Sequence, residues 1–194
     1  MKKSLVVATA LFLVLAPFFA HGAEEAVIGF EAPLAASCGV KNPREECRVS
    51  GEGSYGASIY GGMPYGDLYL LGGISHFTFG VEVERQGGNW ESPRRSTLRA
   101  SFVEAGAAFP FGWTHIGTEK RKGYPLFVIV QGLLGSVDAH DGGDASVAAG
   151  LKLGAMLTVN RWNLLATARF IENWLGSSAP NRLAIGALGV GYEF

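Results

Sequence analysis

The chain has 194 residues and a formal net charge of −1, so it offers no basic footprint for nucleic acid. Hydrophobic residues make up 48% of it and glycines number 28, yet beyond the first segment no apolar run is long enough for a spanning helix. A soluble globule of this size would show longer helical patterning, whereas apolar residues at every second position suit a barrel wall facing lipid.

The N-terminus reads as an export signal. Lys2 and Lys3 give a short positive region, Leu5 to Phe19 is apolar, and Ala20-His21-Gly22-Ala23 offers small residues for cleavage. The apolar run is shorter than the roughly 18–20 residues a spanning helix needs. Residues 1–23 are therefore expected to be removed by a cut after 22 or 23, leaving residues 24–194 as one domain.

Period-2 alternation divides that domain into eight segments. The first, about 25–34, sets Ala26, Ile28, Phe30 and Ala32 on one face. Cys38 and Cys47 follow in a polar stretch, and export to an oxidising compartment makes them a disulfide; two cysteines without nearby histidines make a poor metal site. The second segment, about 48–61, places Val49, Tyr55, Ala57 and Ile59 opposite Ser50, Glu52, Ser54 and Ser58. The third, about 67–85, is interrupted by Gly72-Gly73 and then sets Phe77, Phe79, Val81 and Val83 against His76, Thr78, Glu82 and Glu84.

The fourth, about 98–113, opposes Val103, Ala105, Ala107, Phe109, Phe111 and Trp113 to Glu104 and small residues. The fifth, about 124–137, is apolar on both faces. The sixth, about 146–159, lines one side with Val147, Ala149, Leu151, Leu153, Ala155, Leu157 and Val159, with Lys152 opposite. The seventh, about 162–173, pairs outward Trp162, Leu164, Ala166, Ala168 and Phe170 with inward Asn163, Thr167 and Arg169. The last, from Leu183, carries Ala184, Gly186, Leu188, Val190, Tyr192 and Phe194 on a single apolar face. Each segment reaches the roughly 9–11 residues that cross a bilayer at a tilt.

With both termini periplasmic, the longer connections should face outside. Those are about 35–47, 86–97, 138–145 and 174–181, against 62–66, 117–123 and 160–161 inside. Phe109, Phe111, Trp113, Trp162, Tyr192 and Phe194 then gather at the periplasmic strand ends as an aromatic girdle. The expected fold is an all-β, eight-stranded antiparallel up-and-down transmembrane barrel.

The signal, the dyad repeats and the terminal Tyr192-Glu193-Phe194 together resemble the small outer-membrane barrels of the OmpA-transmembrane-domain and OmpX type. The resemblance implies that Tyr192 and Phe194 are read by the barrel-assembly machinery. It also implies a monomer in the bacterial outer membrane, in contact with its lipids, lipopolysaccharide included.

A barrel of eight strands is just wide enough for side chains to fill. Arg48, Glu52, Glu82, Glu84, Glu104, Lys152 and Arg169 are expected inside it as a plug of ion pairs. Function then falls to the outer loops, with Trp90, Arg94-Arg95 and Trp174, in a structural or surface-interaction role without catalysis, cofactor or metal. Two alternatives compete with this reading, a lipid A-modifying acyltransferase or deacylase and a small-solute channel. For the enzyme, Ser75 and His76 point to opposite faces, His76 and Thr78 share a face expected to be inward, and His115 lies toward the periplasm. His140 sits in an outer loop, Asp138-Ala-His-Asp-Gly-Gly-Asp144, near only Ser136 or Ser146; that loop reads as a solvated turn rather than a calcium site. Gly51-Glu-Gly-Ser-Tyr-Gly56 matches a dinucleotide fingerprint, but no helix follows it.

Overall fold

A computed structural model describes residues 26–39, 45–85, 94–114, 123–139, 146–173 and 182–194. The expected signal at 1–23, and Trp90, His115, His140 and Trp174, lie outside them. Eight strands form one closed antiparallel barrel in which each pairs with its sequence neighbour and the last pairs with the first. They are β1 (Val27–Gly39), β2 (Glu45–Tyr65), β3 (Leu68–Arg85), β4 (Arg94–Thr114), β5 (Tyr124–Ala139), β6 (Ser146–Val159), β7 (Trp162–Asn173) and β8 (Arg182–Glu193). Closure satisfies every sheet edge, the condition for placing strands in a medium without water.

The alternation sets β6 and β7 to the residue, β2 and β4 extend beyond their expected bounds at both ends, and β1 and β5 run further at their C-terminal ends. Strand β1 runs on to Gly39 because β8 keeps pairing with it, to Cys38 opposite Leu183 and Gly39 opposite Arg182. The cysteines therefore sit on strands, and their disulfide ties the end of β1 to the start of β2. At the rim that holds both ends of the described barrel, two hairpins turn in two residues. Gly66 and Asn160, each at a first turn position, take φ of 60° and 58°, which these residue types tolerate.

Inside, the side chains stack in layers. Nearest the termini, Val27, Tyr60, Leu71, Ala108, Phe127, Ile129, Met156 and Leu165 form one apolar cluster. The Tyr60 ring fits there because β1 and β8 present glycines to it: a Cβ on Gly29 would collide with the ring, and one on Gly191 with its hydroxyl. Toward the disulfide rim, a second cluster is built from Phe77, Phe79, Val81, Leu98, Phe102, Leu133, Val137, Ile171, Leu183 and Ile185, among others. A charged layer lies between them.

Candidate functional site

The charged layer is a tetrad drawn from four strands. Lys152 Nζ of β6 lies 2.6 Å from Glu31 Oε1 of β1 and 2.8 Å from Glu104 Oε2 of β4. Arg169 of β7 reaches Glu31 Oε2 through Nη2 at 2.5 Å and Glu104 Oε1 through Nε at 2.8 Å. Ser58 and Thr167 complete the shell. Arg169 Nη2 donates to Ser58 Oγ at 2.6 Å, and Thr167 Oγ1 donates to Glu31 Oε2 at 3.0 Å. Arg169 also lies over the Phe77 ring, 5.2 Å from its centroid. Two cations and two anions cancel, and each is at most 2% exposed, so the charges are satisfied without water.

Of the inward charges read from the sequence, the structure brings Glu104, Lys152 and Arg169 together. Glu31 completes the group and was not among those named, although it lies between outward Phe30 and Ala32 and so falls on the inward side by simple alternation. Among the described residues the buried charges are therefore confined to the centre of the plug, between two apolar clusters.

The outward surface is a band of apolar side chains. Ile28, Phe30, Ile59, Val103, Val128, Val130, Leu151, Leu153, Leu164, Phe170, Leu188 and Val190 all face away from the lumen and are exposed. At the termini rim stand exposed Phe109, Phe111, Trp113, Trp162 and Phe194, joined by Tyr65. The Trp162 and Tyr192 rings meet edge-on at 5.0 Å, and Tyr192 and Phe194 at 5.3 Å. An even-stranded closed barrel with an apolar outside decides the class. The fold is that of the small outer-membrane β-barrels.

Such a barrel is seen in the crystal structure of Neisserial surface protein A, to which the chain is similar at a TM-score of 0.52 and 15% identity. The match covers 89% of this chain and 98% of that one. It is also similar to Ail, the attachment invasion locus protein of Yersinia pestis (TM-score 0.44, 11% identity, 88% and 97% covered). Outer membrane protein AlkL matches at a TM-score of 0.48 and 14% identity, over 89% of this chain and 90% of that one. No family model matches the chain, and no curated protein sequence does.

Above the band of this outer-membrane-type barrel, the faces differ from those read in the sequence. Phe77, Phe79 and Val81 are at most 2% exposed and point inward, so His76, Thr78 and Glu82 point out. On β2 a register shift between Ser50 and Tyr55 exchanges the faces, bringing Val49 in beside Val81 and setting Arg48 outward, opposite Glu82. Arg48 and Glu82 are therefore not part of the interior network. The side chains of Glu52 and Glu84 lie outside the described residues. The inversion has a simple cause: beyond the lipid band the outside meets water and headgroups, and the apolar residues are worth more in the lumen.

The same correction moves His76 from the lumen to the outer wall. There its Nδ1 and the Oγ of Ser101 on β4 are hydrogen-bonded at 2.8 Å, the two residues facing each other across the β3–β4 ladder. Sequence reading compared His76 only with serines close in the chain, and Ser101 is 25 positions away.

Proposed function

We propose that this protein is a plugged barrel of the bacterial outer membrane whose working surface is its outer wall and disulfide-bearing rim, not its lumen. The observation that carries this reading is the three-layered interior, with an ion-paired tetrad sealed between two apolar clusters. A solute path would have to break all three layers. The channel alternative is disfavoured on that ground.

In this reading, residues 1–23 are an export signal, the termini rim faces the periplasm, and Tyr65, Phe109, Phe111, Trp113, Trp162, Tyr192 and Phe194 settle at headgroup depth there. Tyr192, on the strand that closes the barrel against β1, and Phe194, directly after its last residue, serve as the assembly signal. The opposite rim meets the outer leaflet and the medium, where exposed Arg99 and Arg182 suit lipopolysaccharide phosphates and the Cys38–Cys47 disulfide holds the first outer loop.

The test combines topology with conduction. Protease added to intact cells should cut within residues 40–44, 86–93, 140–145 or 174–181 and spare the short turns at Gly66 and Asn160. Purified protein in a planar bilayer should give no unitary currents. Cleavage at the turns would invert the orientation, and steady conductance would replace the plug by a pore.

A further inference from the structure

We infer that His76 and Ser101 form a nucleophile–base pair on the outer wall that cleaves acyl esters of outer-leaflet lipids. This goes beyond a surface-interaction role, and against the expectation of a non-catalytic barrel, because that expectation placed His76 in the lumen. Both residues are exposed on the outside, with Nδ1 and Oγ 2.8 Å apart, within the range by which a histidine activates a serine hydroxyl.

Their depth is the second observation. On β4 the outward side chains between the aromatic rim and Ser101 are Ala107, Ala105 and Val103, and the stretch from Phe109 to Ser101 rises about 20 Å for a strand tilted by about 40°, close to the roughly 25 Å height of the apolar band of such barrels. Ser101 is the next outward residue. On β3, His76 likewise follows outward Ile74. The pair thus stands at the outer edge of the apolar band on β3 and β4, next to the depth at which the ester carbonyls of a bilayer lipid lie.

The surroundings suit the same ligand. One row further out, Arg99 is exposed on the same face and supplies a positive charge at phosphate depth. Thr78 stands opposite Arg99 in register and shares the face of His76; it is 3% exposed, and its Oγ1 has no hydrogen-bond partner. An unpartnered hydroxyl beside the pair is a polar group left over for a ligand.

The chemistry closes without a cofactor. Ser101 Oγ bonds to the ester carbonyl carbon as its proton passes to His76 Nδ1. The tetrahedral intermediate then breaks its bond to the alcohol oxygen, which takes the proton back from the imidazolium. Water, deprotonated by the same imidazole, hydrolyses the acyl-serine to a free fatty acid and restores the hydroxyl.

To test this, full-length mature protein folded in detergent is treated with a fluorophosphonate probe and mapped by peptide mass. It is then incubated with vesicles of phosphatidylethanolamine and phosphatidylglycerol, with and without lipopolysaccharide, and the lipids are analysed by mass spectrometry. We expect the label on Ser101 and loss of an acyl chain from one lipid class. Loss with phospholipid alone identifies a phospholipase, and loss only from lipopolysaccharide a deacylase of that glycolipid. Ser101→Ala and His76→Gln should lower the rate at least about 10³-fold while the heat-modifiable band of a folded barrel is kept, and Ser136→Ala, the next serine in the same row, should not. No acyl loss from either vesicle, a label elsewhere than Ser101, or an active Ser101→Ala would overturn the inference. An inactive variant that has lost heat-modifiability is replaced by Ser101→Cys, and retention of full activity by His76→Gln would also count against it.

Discussion

Lys152 and Arg169 stand directly opposite each other on β6 and β7, a like-charge pairing that is unfavourable in a sheet by itself. Glu31 and Glu104 reach across from β1 and β4 and bridge both cations, so each charge depends on the other three. Lys152→Met leaves a net negative charge in a dry interior and should cost about 3–5 kcal/mol, read from urea unfolding in lipid vesicles. Glu104→Gln leaves a net positive charge and should cost about as much. The double variant restores neutrality and should be more stable than the sum of the two losses implies, a coupling that the double-mutant cycle measures directly. Tyr60 makes a steric counterpart. Gly29→Ala drives a methyl group into its ring and should destabilise by about 1–3 kcal/mol, with part of that recovered on a Tyr60→Ala background.

Strands of this barrel change character along their length, and substitutions should follow depth rather than residue type. Leu188 of β8 faces outward between Ala166 and Ala32 in the middle of the band. Leu188→Arg should cost about 2–4 kcal/mol in vesicle unfolding, whereas Thr97→Arg, outward on β4 but beyond the band, should cost about 0–1 kcal/mol. Equal penalties at both sites would misplace the band. The disulfide acts at the level of two elements, joining β1 to β2 across a sequence separation of 9. Reducing it should lower the unfolding free energy by about 2–3 kcal/mol, the entropy of releasing so short a loop, without opening the β1–β8 seam.

Across the whole molecule, the order of layers decides what can pass. Both apolar clusters flank the tetrad, so removing its charges does not join the two rims. A barrel carrying Glu31→Ala, Glu104→Ala, Lys152→Ala and Arg169→Ala together should, if it folds with a heat-modifiable band, remain non-conducting in single-channel recordings. Currents from that variant alone would show that the tetrad is the gate and the clusters are leaky. A sealed lumen also confines ligand chemistry to the outside, where His76 and Ser101 meet the lipid boundary.

By itself the sequence determined the strand count, the closing strand, the disulfide and the outward face wherever a strand lies in lipid. There the alternation is forced: on β4, β6, β7 and β8 one face meets hydrocarbon and the other a narrow lumen, so residue type reports direction. Where strands rise past the band that rule fails. Phe77 and Phe79 turn inward to pack with Phe102 and Leu133, and Arg48 and Glu82 turn out to water, an exchange that only the sheet register reveals. The tertiary structure also decided which charges meet. Glu31, Glu104, Lys152 and Arg169 are scattered along the chain, and His76 finds Ser101 only because β3 and β4 pair in one register. Proximity across a closed barrel is set by strand pairing, and pairing is a property of the sheet that no single strand encodes.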